Sequence, residues 1–186
     1  MMDSALEKAL VEKAKSDPQA FGSLFDAHYP EILRYVLRRT ANVQAAQDIT
    51  SEVFSKAFAG IGKFRWQGIP FSAWLYRIAN NETADYYKHG KIQLISVDEV
   101  PESGMGSSPD AEDELITAEL ELKRHQQYLI LHDNIVKLDN KYQEVIALRF
   151  FQDKQLSEIS EILGKPEGTV KSLLHRGLAK LKLFME

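Results

Sequence analysis

Apolar residues recur at spacings of three and four along most of the chain, which is the pattern of amphipathic α-helices. The first predicted helix covers residues 2–16. Asp17 and Pro18 then have the residue types of an N-cap and a first helical position, so a second helix should begin there. Pro30 is expected to bend this helix or split it in two. A third helix is predicted over residues 43–59. No stretch alternates with a period of two, so the predicted fold class is all-α.

The helical pattern is interrupted in the middle of the chain. The stretch SVDEVPESGMGSSPDAEDE is rich in Ser, Gly, Pro and acidic residues, which is typical of a flexible linker. Residues 96–126 hold nine acidic and two basic side chains, whereas the segments on either side are slightly basic. We therefore predict two small helical domains, residues 1–95 and 114–186, joined by a flexible acidic linker over residues 96–113.

The C-terminal segment QLSEISEILGKPEGTVKSLLHRGLAKLK holds two short apolar stripes separated by Gly164. Two short amphipathic helices around a glycine turn, the second of them basic, form the helix-turn-helix pattern. The inward stripe of the second helix is expected to be Val170, Leu174, Gly177, Leu178 and Leu181. Its opposite face carries the candidate DNA contacts Lys171, Ser172, His175 and Arg176, whose donors suit phosphates or base edges, and Leu173, which could touch a thymine methyl. The alternative is a solvated amphipathic helix.

The stretch FSAWLYRIANNETADYYKHGK predicts a helix with two different faces. Phe71, Trp74 and Leu75 belong to the face expected in the core. The second face repeats aromatic, amide and basic side chains, namely Tyr76, Arg77, Asn80, Tyr87 and Lys88, and Trp66 lies in a loop just before it. Rings stack on unpaired bases, amides bind base edges and cations hold the backbone, so this face is a candidate site for single-stranded nucleic acid. Packing at a domain edge is the alternative.

Several classes of function find no support in the residues. The chain has no cysteine, its five histidines have no metal-ligand spacing, and we expect neither a metal nor a cofactor. Asp48 and Glu52 lie one turn apart on an outward helix face, which is most often solvated and otherwise suits a basic partner. No nucleophile or phosphate-loop motif indicates an enzyme. The N-terminus has no apolar signal core and no stretch could insert into a membrane, so we expect a cytoplasmic protein.

Four segments together resemble the sigma-70 family of bacterial RNA polymerase sigma factors, in its extracytoplasmic-function (ECF) branch. FGSLFDAHYPEILRYVLRR resembles the start of conserved region 2, and AAQDITSEVFSKAF is similar to the helix of the family that docks on polymerase. IPFSAWLYRIANN is similar to its promoter-melting segment. LDNKYQEVIALRFFQDKQLSEISEILGKPEGTVKSLLHRGLAKLK resembles region 4. The resemblance implies a transcription initiation factor that binds core RNA polymerase and directs it to promoters.

The resemblance also implies roles for particular residues. Asp48 and Glu52, with Ser51 and Lys56 beside them, would dock on the clamp coiled coil of core polymerase, while region 4 would meet its flap. The surface that melts and reads the −10 element would comprise Trp66, Trp74, Tyr76, Arg77, Asn80 and Asn81, with Asn81 at an extruded base and Tyr87 and Lys88 further along the helix. The −35 element would be read in duplex DNA by Lys171, Ser172, His175 and Arg176. An anti-sigma factor is a further implied partner.

Two rival functions remain open from the sequence. The first is a helix-turn-helix regulator that binds operators as a dimer without core polymerase. The second is a metal-dependent enzyme acting on nucleic acid through Asp48, Glu52, Glu82 and Asp85. These four carboxylates would have to converge in space for the second reading to hold.

Overall fold

The computed structural model describes residues 4–66, 68–88 and 127–186, and every regular element in these ranges is helical. The N-terminal half contains α1 (Ser4–Ala14), α2 (Pro18–Thr40), α3 (Val43–Gly60), a 3-10 turn (Ile61–Lys63) and α4 (Phe71–Lys88). The C-terminal half contains α5 (residues 127–136), α6 (Asn140–Ile146), a π-helical turn (Ala147–Phe151), α7 (Leu156–Leu163) and α8 (Glu167–Met185). The all-α prediction is confirmed. The predicted linker lies outside the described residues.

Short polar side chains cap the N-termini of two helices in the N-terminal half. The Asp17 carboxylate accepts a hydrogen bond from the backbone N–H of Gln19 at 2.9 Å, so the predicted start of α2 is confirmed. The Asn42 side chain accepts from the N–H of Ala45 at 2.8 Å at the start of α3. Of the two outcomes predicted for Pro30, a bend or a split, the split is wrong, because α2 continues through it. Pro30 lies on the exposed side of the helix, where water can replace the missing backbone hydrogen bond.

The core of the N-terminal half forms around α2, which contacts α1, α3 and α4. Its fully buried side chains come from all four helices and include Val11, Leu24, Ile32, Tyr35, Val36, Val53, Phe71 and Leu75. Aromatic rings meet edge to face in this core, with the Phe25 and Phe54 centroids 4.8 Å apart. The helix α1 is therefore an integral part of the bundle, since its Val11 is as buried as the central residues of α2.

The C-terminal half packs α6 and α7 against α8. Gly177 allows the close approach of α6 and α8, because a Cβ atom there would lie 3.2 Å from Cδ1 of Ile146 and from Cβ of Tyr142. Gly164 ends α7 in the left-handed conformation with φ +61°, as its place between the two apolar stripes predicted. The two short helices and their glycine turn thus have the predicted helix-turn-helix arrangement.

His28 lies in a buried polar cluster that joins α1, α2 and α4. Its Nε2 forms an ion pair with Oε1 of Glu7 at 3.0 Å, and its Nδ1 lies 4.0 Å from Oε2 of Glu31. The other Glu7 oxygen accepts the N–H of Phe71, the first residue of α4, at 3.3 Å. Burial by itself lowers the pKa of His28, but the carboxylates of Glu31 and Glu7 outweigh it and raise the pKa to about 9. The neighbouring His28 side chain, with a smaller effect from Tyr76 and Lys154, lowers the pKa of Glu31 to about 2.

Replacing His28 with Gln should therefore reduce stability in a pH-dependent way. The raised pKa of folded His28, about 9 against 6.5, means that its stabilisation is complete below pH 6.5 and disappears as the pH rises through 9. We expect H28Q to lower the free energy of unfolding by roughly 2 kcal/mol near neutral or lower pH. Urea unfolding of both proteins across this pH range measures the difference. A difference in unfolding free energy that is as large above pH 9 as at neutral pH would contradict the charge-based origin.

Candidate nucleic-acid interface

The outer face of α8 presents the basic residues that the sequence suggested. Lys171, His175 and Arg176 are exposed, and Ser172 is half-buried beside them. The Arg176 guanidinium folds onto its own helix, where Nη2 donates to Oγ of Ser172 at 2.8 Å. We call these four residues the recognition face. It directly follows the glycine turn, in the position from which a helix-turn-helix protein enters a major groove.

Leu173 requires a correction, because it is not on the recognition face. Its side chain is only 7% exposed and packs in the core, whereas Leu178, expected inside, is 38% exposed. The contact of Gly177 with α6 fixes the rotation of α8 and turns position 173 inward. The proposed contact of Leu173 with a thymine methyl is therefore wrong for this structure.

The outward face of α3 carries Asp48, Ser51, Glu52 and Lys56, all exposed. We call these residues the docking face. The Lys56 Nζ donates to Oε2 of Glu82 on α4 at 2.6 Å and lies 3.6 Å from Oε1 of Glu52. An ammonium group therefore stands between two of the four carboxylates that the metal-enzyme reading needed. Within residues 4–66, 68–88 and 127–186, no three His, Asp or Glu side chains are grouped so that they could hold a metal ion.

The inner face of α4 lies in the core as predicted. Phe71 and Leu75 are fully buried. Trp74 is half-buried, and its ring centroid lies 4.8 Å from that of Phe64 and 5.5 Å from that of Phe71. Trp66 is half-buried against the hydrophobic core. Trp74 thus packs mainly among other rings, and Trp66 keeps part of its surface open to solvent.

The second face of α4 requires another correction. Its predicted exposure is wrong for Tyr76 and Asn80, which are 0% and 4% exposed, although Arg77, Asn81 and Lys88 are exposed. Tyr76 is partly covered by the C-terminal half, because α7 contacts α4 and Oε1 of Gln152 lies 3.2 Å from the Tyr76 hydroxyl. Asn80 is held instead by Tyr35 and Arg39 of α2. Burial raises the pKa of the Tyr76 hydroxyl.

Hydrogen bonds hold the buried residues of this face in place. Oδ1 of Asn80 accepts from the Tyr35 hydroxyl at 2.5 Å and from Nη1 of Arg39 at 2.8 Å. Nδ2 of Asn80 is buried without a partner. The Tyr87 hydroxyl donates to the backbone carbonyl of Arg39, and Lys88 pairs with Asp85 at 3.2 Å. The aromatic, amide and basic groups predicted for this face are therefore close together, but part of the face is covered.

Sequence reasoning missed the residues that cover this face. Arg39 lies on the buried side of α2, and its Nη2 reaches Oδ1 of Asn140 in the C-terminal half at 2.8 Å. Glu31 and Lys154 pair across the same boundary at 3.1 Å. Arg39 is a cation among the mostly apolar buried positions of α2. Because a buried charge needs a partner, this position could have predicted a polar contact.

Both halves match known sequence families. Residues 24–91 match sigma-70 region 2, and residues 135–183 match sigma-70 region 4. These segments coincide with the helices that carry the docking face, the face of α4 and the recognition face. The two regions in this order define the class of the protein as a helical transcription factor of the sigma-70 type.

Curated relatives cover almost the whole chain. The ECF RNA polymerase sigma factor BldN of Streptomyces coelicolor is 34% identical over 180 residues, with coverage of 96% of this chain and 66% of that protein. The ECF RNA polymerase sigma factor SigW of Bacillus subtilis is 32% identical over 193 residues, with coverage of 97% of each chain. The solved structure of CnrH in complex with the cytosolic domain of CnrY has the same fold, with a TM-score of 0.65, 23% identity and coverage of 96% of both chains.

The chain belongs to the ECF branch of the sigma-70 family of RNA polymerase sigma factors. It is a transcription initiation factor that directs polymerase to promoters. The rival reading as an operator-binding regulator that acts without polymerase is not favoured. No helix among residues 4–66, 68–88 and 127–186 is both long and apolar enough to cross a bilayer.

Proposed function

We propose that the two halves divide the recognition of a promoter between them. The N-terminal half, residues 1–95, binds core polymerase through the docking face and captures bases of the opened −10 element through α4. The C-terminal half, residues 114–186, reads the −35 element in duplex DNA through the recognition face and meets the polymerase flap. Residues 96–113 connect them as an acidic linker. Neither step breaks a covalent bond, so the proposed role requires no catalytic group and no cofactor.

The observation that carries the proposal is the exposed, basic recognition face beyond the left-handed turn at Gly164. Lys171, Arg176 and Ser172 offer several donors within two turns of helix. Phosphate contacts would position the helix, and the arginine could bind a guanine through two hydrogen bonds. Gel-shift binding to duplex DNA by the free protein should be weak, because only this one small face is available to it.

The docking face suits a basic partner, because Asp48 and Glu52 are exposed while Lys56 is held by carboxylates. We propose the clamp coiled coil of core polymerase as that partner. For the −10 element, we propose the exposed Asn81, Arg77 and Lys88 as amide and basic groups, with the half-buried rings of Trp66 and Trp74 beside the core. Extruding a base costs a few kcal/mol, which stacking and hydrogen bonds to such groups can offset.

Two further assignments follow from membership in the family. We propose that an anti-sigma factor holds the protein inactive until its signal arrives. Binding to polymerase and chromosomal DNA also requires a cytoplasmic location. Both assignments rest on the family resemblance.

Removal of Lys171 and Arg176 should strongly reduce transcription that depends on the −35 element. We expect K171A/R176A to lower the initial rate of run-off transcription roughly 30-fold or more, because two lost contacts of about 1–3 kcal/mol each sum to at least about 2 kcal/mol. The assay uses purified core polymerase and a promoter first selected from genomic fragments of the source organism with the wild-type protein. A second template carries the same promoter with its −35 element scrambled.

The control variant is K137A, which removes an exposed cation of the C-terminal half outside α8. It should leave the rate almost unchanged. On the scrambled template, wild type and K171A/R176A should be nearly equal. An equal loss for the double variant on both templates would place the sequence-reading contact elsewhere.

A further inference from the structure

Lys56 of the docking face is shared between two carboxylates that lie on different helices. Its Nζ donates to Oε2 of Glu82 on α4 at 2.6 Å and lies 3.6 Å from Oε1 of Glu52, one turn earlier on α3. The closer of the two contacts is the one with α4. The ammonium group of Lys56 is therefore drawn toward the seam between α3 and α4 and away from Glu52.

The two carboxylates compete for this cation. Glu and Lys at positions i and i+4 of a helix form a favourable pair, so Glu52 and Lys56 would pair with each other in the absence of Glu82. Glu82 has the advantage, because its side chain is 14% exposed and that of Glu52 is 53% exposed, and charges with less access to water are screened less. The hydrogen bond to Glu82 raises the pKa of Lys56, and Glu52 contributes less to this shift.

The carboxylates of the docking face keep their negative charge as a result. Asp48 accepts a hydrogen bond from the neutral side-chain amide of Gln44 at 3.1 Å, which leaves the charge of Asp48 in place. Glu52 is exposed, and the cation nearest to it is held more closely by Glu82. If Lys56 paired fully with Glu52 instead, a basic partner would meet one uncompensated carboxylate where it now meets two.

We propose that Glu82 is a positioning residue for polymerase binding: it holds Lys56 against α4 and so leaves Glu52 available to a basic partner. The proposal rests on the proposed function of the docking face. Complementary charges at an interface strengthen binding, and a like charge placed against the partner weakens it. Glu82 acts on both terms through Lys56, so its role requires no contact between Glu82 and polymerase. The helix proposed to capture bases thereby also sets the charge of the docking face.

The test measures affinity for core polymerase in the absence of DNA, so that base capture does not enter the result. A fluorescent dye on S23C, an exposed position of α2, reports binding by the full-length chain, which has no cysteine of its own. The test variant is E82Q, which keeps the size of the side chain and removes its charge. The matched control is E12Q, because Glu12 also pairs with a lysine, Lys15 at 2.7 Å, on the exposed side of α1.

We expect E82Q to bind core polymerase roughly fivefold more weakly than wild type at low salt, and E12Q to bind like wild type. The loss in E82Q should shrink at high salt, because salt screens charges that water can reach. The decisive variant is K56M/E82Q, which removes the cation together with the carboxylate that holds it. This variant should regain most of the lost affinity. A purely structural link between α3 and α4 predicts no recovery, since the link is absent from both variants.

Equal affinity of wild type and E82Q would overturn the proposal, and so would a loss in E82Q that the additional K56M substitution does not repair. The failure of the proposed function would be recognised separately, with a variant that reverses both docking carboxylates. If D48K/E52K binds core polymerase as tightly as wild type, the docking face is not the binding site and the role of Glu82 fails with it. If D48K/E52K loses binding while E82Q does not, only the role of Glu82 is overturned.

Discussion

Reversal of the charges of Asp48 and Glu52 is expected to abolish binding to core polymerase. Both carboxylates are exposed on the docking face, so D48K/E52K should fold normally. Against a basic partner, two attractive contacts become repulsive, and like charges brought together at an interface cost several kcal/mol. We expect a loss of affinity of roughly a hundredfold or more, which is about 3 kcal/mol. Co-purification with tagged core polymerase, and fluorescence titration of the complex, measure it.

A matched control separates the docking face from net charge. E12K/D26K makes the same change in charge at exposed positions of α1 and α2. It should bind core polymerase nearly as well as wild type. Thermal unfolding should be similar for both double variants. If D48K/E52K is retained by polymerase as well as E12K/D26K, the docking face lies elsewhere.

Introduction of a charge at Leu173 is expected to unfold the C-terminal half. Leu173 is 7% exposed and shares the core with Val170 and Leu181. An unpaired carboxylate in this core either stays ionised at a large desolvation cost or takes up a proton. In both cases the apolar packing of the buried leucine side chain is lost. We expect L173D to cost more than about 4 kcal/mol, which exceeds what a small helical unit can tolerate. Loss of helical circular dichroism and faster proteolysis of this half measure it.

The comparison variant for this test is L178D. Leu178 lies on the same helix but is 38% exposed, so its new carboxylate can remain hydrated. We expect a loss of less than about 1 kcal/mol for L178D. A stable L173D protein that fails only in transcription would show that Leu173 belongs to the recognition face and not to the core.

The helices and their ends could be predicted well from the sequence, because their causes are local. Asp17 and Pro18 mark the start of α2, and Gly164 marks the end of α7, through interactions within a few residues. The rotation of α8 could not be predicted in the same way. Leu173 and Leu174 are adjacent leucines, and helical period alone does not decide which faces inward. The contact between Gly177 and α6 decides it, and that contact depends on residues distant in sequence.

The composition of the candidate site could be predicted, but its exposure could not. Aromatic, amide and basic side chains on α4 suit unpaired bases, and they suit a polar contact between two halves of a protein equally well. Arg77 contacts the carbonyl of Ile162, which is 85 positions away, and no local pattern encodes such a pairing. Buried cations such as Arg39 were the available signal, and their partners became clear only from the structure.

The place of α1 in the bundle has a consequence for the design of fragments. The match to sigma-70 region 2 begins at residue 24, but Val11 and Ala14 of α1 are buried in the same core. Glu7 also accepts the N–H of Phe71 and so satisfies a donor at the start of α4. A fragment trimmed to the matched segment would therefore expose apolar side chains of α2 and lose the acceptor that orders the first turn of α4. The smallest piece of this half suited to crystallisation or binding assays has to include α1.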